Sequence, residues 1–284
     1  MTTSAVERTG RAGSASRVRW LAFSVPPTVV LSFVVLAVVV LWAIAPGLFT
    51  HYDYVAGVPT DKLLGHSGAH WLGTDDLGRD LYARIVHGTR SSVTSALVAV
   101  AIGVVTGSLI GLVAGFWRGW VDVVLARFVD VLLAFPSFLF AIAIVSALGF
   151  RTINVAIATG ITAIAVFARV MRAEVIKVRD ATFVEASYLQ GGSRWRILIT
   201  HVLPNASRSI IPLAVLQFGT AILVIAGLAF LGYGDPPPAS DWGRLVADGE
   251  QYPFAPWLIY SPAAVIVATV LSLNRISRWL RRTA

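Results

Sequence analysis

Val29-Val30-Leu31-Ser32-Phe33-Val34-Val35-Leu36-Ala37-Val38-Val39-Val40-Leu41-Trp42-Ala43-Ile44-Ala45 decides the fold. The stretch lies inside a longer interval, Leu21 to His51, that holds no Asp, Glu, Lys or Arg. Val34–Val40 is apolar at every position, so the alternation of a barrel strand is absent. Crossing the roughly 30 Å hydrocarbon core of a bilayer takes about 20 apolar residues in a helix. In that medium every backbone N–H and C=O must bond within its own segment, which a helix achieves.

The same criterion applied outward finds five more charge-free intervals: Arg90 to Arg118, Asp130 to Arg151, Arg151 to Arg169, Arg208 to Asp235, and Glu250 to Arg275. They predict an all-α polytopic membrane protein with six transmembrane helices, at about 26–45, 93–116, 131–150, 152–169, 209–233 and 255–274. Residues 1–20 form a tail before one membrane domain, 21–284. Loops 46–92 and 234–254 lie on one side, and the long loop 170–208 on the other. Arg8, Arg11, Arg17 and Arg19 before the first span, with Ala43-Ile44-Ala45 after it, resemble a signal peptide. The apolar stretch is too long for that, and Pro46 fits poorly after a cleavage point, so the span is read as retained.

Composition agrees. Of 284 residues, 56% are hydrophobic and 13% charged, about half the charged share of a soluble domain. Disorder and an ordinary soluble enzyme are excluded. The absence of cysteine removes disulfides, thiolate metal sites and a cysteine nucleophile. The net charge of +8 raises the question of nucleic acid. Its distribution answers: segments 1–20, 117–130, 169–208 and 275–284 hold 4, 2, 7 and 4 of the Lys and Arg residues, against only Lys62, Arg79, Arg84, Arg90, Arg151 and Arg244 elsewhere. By the positive-inside rule both termini and the 170–208 loop are cytoplasmic, and no nucleic-acid partner is expected.

Within the spans, Gly103, Gly107, Gly111 and Gly115 recur every fourth residue. Such a stripe lets a second helix approach to backbone contact. Two readings stand: packing within this chain, or contact with a second membrane subunit. Pro136 should kink or unwind the third span. Pro204 and Pro212 flank the start of the fifth, and Pro236-Pro237-Pro238 ends it. Asn154, Thr159, Gln217 and Thr220 are polar and could line a route or bond to neighbouring helices. In the 234–254 loop, interfacial anchoring is the default reading for tryptophan, and docking of an external protein by Asp241, Trp242 and Asp248 is the alternative. Asp75, Asp76 and Asp80 read as a turn with helix capping, with a metal or substrate contact the alternative, and His66 and His70 read as plain loop. There is no Gly-Lys-Ser/Thr phosphate loop, no His-Glu-x-x-His motif and no credible catalytic or metal constellation. If the chain drives anything uphill, the energy comes from another protein.

The loop between spans four and five is the most informative stretch. It reads Arg179-Asp180-Ala181-Thr182-Phe183-Val184-Glu185-Ala186-Ser187-Tyr188-Leu189-Gln190-Gly191-Gly192-Ser193-Arg194-Trp195-Arg196-Ile197-Leu198-Ile199-Thr200-His201-Val202-Leu203-Pro204-Asn205. Thr182 and Glu185 have capping-box spacing. Gly191 and Gly192 permit the positive φ of a helix stop. Ser193 can cap a second helix running to Pro204. The product is a helical elbow tied to two spans, a natural lever.

Glu185-Ala186-Ser187, Gly191 six residues after Glu185, and Leu203-Pro204 resemble the EAA loop of binding-protein-dependent ABC importer permeases, with Ser187 in place of the usual alanine. Leu72-Gly73-Thr74-Asp75-Asp76-Leu77-Gly78-Arg79-Asp80, Phe135-Pro136-Ser137, His201-Val202-Leu203-Pro204-Asn205, Phe230-Leu231-Gly232 and Asp241-Trp242-Gly243 narrow the resemblance to the dipeptide/oligopeptide (DppC/OppC-type) permeases. It covers roughly residues 20–275. The C-terminal 274–284 is shorter and more basic than the usual ending. The resemblance implies a type I importer (MetI-like) permease fold in the bacterial inner membrane. It also implies peptide cargo and four kinds of partner or surrounding: a second homologous permease as heterodimer, two ATPase domains, an external substrate-binding protein, and membrane lipid. The chain itself would carry no cofactor, with ATP and Mg held by the ATPases. Glu185, Ala186, Ser187, Gly191, Arg194, Leu203 and Pro204 would form the ATPase-coupling surface. The alternative is an ion-coupled secondary transporter or channel subunit with no ATPase.

Overall fold

The computed structural model describes residues 26–283. The tail 1–20, with Arg8, Arg11, Arg17 and Arg19, lies outside the described residues. Twelve α-helices follow one another among the described residues, with no strand. They are α1 (Pro27–Ile44), α2 (Leu81–Ile102), α3 (Ser108–Phe116), α4 (Trp120–Ala134), α5 (Ser137–Leu148), α6 (Thr152–Arg179), α7 (Thr182–Leu189), α8 (Arg194–Ile197), α9 (Leu203–Ala206), α10 (Ile210–Phe230), α11 (Trp242–Glu250) and α12 (Trp257–Thr283). Five continuous helical stretches are long and apolar enough to cross a bilayer, and the bent pair α4–α5 makes up to six.

The helices overrun the charge-free intervals. α2 begins at Leu81 rather than near 93, and a π-helical turn at Gly103–Gly107 joins it to α3 in one rod, Leu81–Phe116. α6 continues ten residues past 169 to Arg179. A charge-free interval marks what hydrocarbon tolerates, whereas a helix ends where its backbone loses partners. The overrun is supported by ion pairs: Arg172 Nε lies 2.5 Å from Asp122 and Arg169 Nη2 3.1 Å from Asp130, tying α6 to α4.

The third span departs most from the 131–150 expectation. Helix begins at Trp120, and α4 and α5 meet at 90° across Phe135-Pro136. Proline cannot donate the bond that would carry α4 onward. The proline triplet 236–238 does not end the fifth span. α10 stops at Phe230, where Gly232 adopts φ +87° and its N–H reaches Ala229 O at 3.0 Å.

The core is organised around α6. A Cβ added at Gly103 would lie 2.8 Å from Ala163 Cβ, at Gly107 2.5 Å from Ile164 O, and at Gly115 2.8 Å from Val175 Cβ. At Gly111 it would collide with Ala168 O. The stripe is therefore filled by α6 of the same chain and is not a surface for a second subunit. Phe167 and Met171 of α6 are buried against it. Much of the remaining apolar surface faces outward, including Leu31, Val34, Leu97, Val123, Leu139 and Leu271, as lipid or subunit contact requires and as a water-facing surface would not tolerate.

Gly107→Leu and Gly111→Leu should each force α3 off α6, an overpacking cost of at least 1–3 kcal/mol. We expect the monodisperse peak of detergent-solubilised protein to fall at least several-fold in size-exclusion chromatography. Gly47→Ala, where an added Cβ meets nothing within 4 Å, should leave it unchanged.

Candidate functional site

α6 delivers the chain to the elbow. The turn at Asp180-Ala181 is tied down by Arg118 Nη2, which donates to both Asp180 oxygens at 2.8 and 2.7 Å. α7 begins one residue earlier than a capping box requires. Ala181 occupies the cap in extended geometry with no side-chain bond, and Thr182 is already helical. The capping box therefore does not form. Glu185 is left exposed, with no ion pair or side-chain hydrogen bond among the described residues, and its carboxylate near the α7 N-terminus still favours the helix dipole.

Gly191 ends α7 at φ +82°, with its N–H on Tyr188 O and the Gly192 N–H on Ser187 O, both at 3.0 Å. A Cβ at Gly191 would touch nothing within 4 Å, so the glycine is required by conformation alone. Ser193 Oγ accepts from Arg196 N and starts α8. Helix does not stop at Pro204. A π-helical turn at Leu198–Val202 leads through Leu203 and Pro204 into α10, giving one helical stretch, Arg194–Phe230. The wider turn accommodates a residue that brings no N–H.

The elbow has two faces. Val184, Ile197, Leu198 and Val202 are buried and fasten it to the bundle. Phe183, Leu189, Trp195 and Ile199 project outward, Leu189 84% exposed. Ala186 and Pro204 are exposed, and Ser187 and Leu203 half-buried. Arg194 is exposed beside Arg118 and Arg179 in a cleft behind the elbow.

A second feature lies inside the bundle. A recess of about 180 Å³ between α2, α5, α6 and α10 is lined by Ser137, Thr159, Thr162, Gln217 and Thr220 among apolar residues. Thr159 Oγ1 is buried there without a hydrogen-bond partner. Asn154 does not join this set. Its Nδ2 donates to Leu148 O and Gly149 O, each at 2.9 Å, locking the α5–α6 turn.

The end of the bundle opposite the elbow is closed by a bracket of polar residues. Asp75 accepts from Arg79 Nε at 2.6 Å, Arg84 Nη1 at 2.8 Å, and the N–H groups of Leu77 and Arg79. Asp80 caps α2 through Ala83 N and holds His70 Nδ1 at 2.9 Å. The acidic cluster is thus a turn with helix capping, and the buried arginines that balance it are members that sequence reading missed. Asp75-Asp76 followed within nine residues by Arg79 and Arg84 was the available signal.

α11 is clamped onto the same bracket. Asp241 caps it through Arg244 N at 3.0 Å. Trp242 is fully buried, its N–H on Ser92 Oγ at 3.0 Å and its Nε1 shared between Ile85 O and Thr89 Oγ1. Asp241 and Trp242 are therefore internal, and their side chains are not presented on the surface. Asp248, bonded to Arg244 at 2.9 Å and 3.5 Å from Arg84, keeps a partly exposed carboxylate.

An all-helical bundle with charge-poor spans, a polar recess between them and an apolar-faced elbow at one end defines a membrane permease. Residues 107–284 match the model of the binding-protein-dependent transport system inner membrane component. The chain belongs to that family and is a permease subunit of an ABC importer. It is 40% identical to the dipeptide transport system permease protein DppC of Alkalihalophilus pseudofirmus, over 89% of this chain and 83% of the relative. It is 38% identical to the glutathione transport system permease protein GsiD of Pectobacterium atrosepticum (76% and 72%), and 35% identical to the probable D,D-dipeptide transport system permease protein DdpC of Escherichia coli (92% and 88%). The fold resembles a solved amino acid ABC transporter chain with TM-score 0.57 at 18% identity, over 71% of this chain and 94% of that one.

Two outcomes test the bracket. Asp75→Asn removes half of a buried charge pairing, so roughly 3–5 kcal/mol should be lost, read as a drop in detergent-state melting temperature. Burial pushes the Asp241 carboxyl above its ordinary value. The native state then holds this proton more tightly than the unfolded chain, so the contribution is present at low pH and is lost as pH rises through the carboxylate range. Asp241→Asn, which can still cap α11, should flatten that slope in melts between pH 4 and 7.

Proposed function

We propose that this chain forms half of the translocation pathway of an ATP-driven peptide importer. It pairs with a second, homologous permease, receives di- or oligopeptides from an external substrate-binding protein, and is moved by two ATPase domains gripping the elbow. ATP and Mg are held by those ATPases, and this chain performs no catalysis. The observation that carries the reading is the elbow's outer face: Phe183, Leu189, Trp195 and Ile199 exposed beside an unpaired Glu185. Apolar surface of that kind, outside the spans, fits burial in a protein groove.

Both termini and the elbow face the cytoplasm, on the strength of the Lys and Arg distribution. Peptide cargo is supported by the names of the relatives, which transport dipeptides, D,D-dipeptides and glutathione. The recess suits such cargo, because Thr159, Thr162, Gln217 and Thr220 offer uncharged donors and acceptors to peptide groups without discriminating side-chain charge. Family membership sets aside the ion-coupled alternative.

Glu185→Arg and Gly191→Leu should each abolish peptide uptake by the assembled transporter in proteoliposomes while the permease level stays within about twofold, since neither site is packed in the core. Normal uptake in both variants would refute the lever. Stimulation of uptake by sugars but not by peptides would refute the cargo.

A further inference from the structure

Behind the elbow lies a cavity of about 440 Å³, lined by Phe116, Trp117, Arg118, Arg179, Tyr188 and Arg194. Three guanidinium groups converge on it from three elements: the end of α3, the end of α6 and the start of α8. One carboxylate answers them. Asp180 takes both bonds from Arg118 and lies 3.9 Å from Arg179 Nε. Arg179 Nη1 is occupied by the last carbonyls of α3, Gly115 O at 3.3 Å and Phe116 O at 3.0 Å. Arg194 makes no ion pair or side-chain hydrogen bond among the described residues. The cleft therefore carries about two uncompensated positive charges, and the carbonyl ends of α3 that would repel an anion are already covered.

Its surroundings identify the occupant. Its lining at Phe116, Trp117 and Arg118 follows directly on the charge-free interval of the α2–α3 rod. Its walls are aromatic: Trp117 and Tyr188 line it, and Trp120 on the next helix is 76% exposed. Tryptophan and tyrosine concentrate at membrane–water interfaces. Guanidinium forks match phosphate oxygens, and basic pockets beside spans on the cytoplasmic side suit anionic headgroups. We infer that this cleft binds the phosphate diester of an anionic phospholipid, joining the α3–α4 turn to the base of the elbow. A carboxylate from an ATPase would meet the same charges but has no use for the aromatic walls. Assignment to the cytoplasmic leaflet rests on the orientation proposed above. Binding to solubilised protein does not depend on it, so the site and the orientation fail separately.

The delipidated transporter complex, permease with its ATPases, is titrated in detergent with phosphatidylglycerol or phosphatidylcholine and read by native mass spectrometry. Phosphatidylglycerol should be retained in preference to phosphatidylcholine. Arg118→Gln/Arg194→Gln should lose that preference by about tenfold. Arg127→Gln/Lys177→Gln, which removes two exposed charges from the same end, should keep it. Arg194→Gln alone, which breaks no bond of the folded chain, should weaken retention partway. Equal retention by Arg118→Gln/Arg194→Gln overturns the site. Complete displacement of phosphatidylglycerol by millimolar inorganic phosphate would make it a soluble-anion site instead. Loss of the ATPases from that variant with lipid retention unchanged would make it a protein seat.

Discussion

The close approach of the α2–α3 rod to α6 is the constraint on which the rest depends. Four glycines one helical turn apart remove the side chains that would hold the rod away, and the carbonyls and Cβ atoms of Ile164, Ala168, Met171 and Val175 occupy the vacated space. In lipid, where apolar surface gains little by leaving the solvent, dispersion between closely packed helices supplies much of the cohesion. The position of α6 then determines three other features. Its first turn meets Asp235 through Thr152, its middle contributes Thr159 and Thr162 to the recess, and its end launches the elbow.

The two ends of the bundle are stabilised by different chemistry. At the end away from the elbow, buried Asp75, Arg79, Asp80 and Arg84 form a network in which almost every polar atom has a partner, the Arg84 Nε being an exception. Such networks are costly to break and serve to hold one arrangement. The elbow end relies on a few buried aliphatic anchors and leaves its apolar face outward. A rigid bracket at one end and a lightly fastened lever at the other suit a molecule pushed from the lever side.

Charge pairs along α4 and α6 reconcile long helices with a thin hydrocarbon layer. Arg169 and Arg172 lie beyond the charge-free part of α6 and are answered by Asp130 and Asp122 of α4. These pairs let helix continue into the interface without stranding a charge, and they carry the α4–α6 contact past the apolar zone.

What the sequence by itself determined is the helical nature of the spans, the elbow that follows α6, and the family. Runs without charge, a repeated glycine and short motifs such as Glu185 to Gly191 are local properties, legible wherever they stand. The elbow's stop was readable for the same reason, since positive φ at Gly191 is a demand of the backbone alone. Which neighbour a side chain meets is not local. Trp242 reads as anchor or docking point until Ser92 and Thr89 arrive beside it from 150 and 153 residues away. Asn154 reads as a pathway residue until the α5–α6 turn claims its amide. The partner of the glycine stripe, the internal fate of Asp241 and the convergence of Arg118, Arg179 and Arg194 were decided only by tertiary structure, because each depends on contacts between segments distant in the chain.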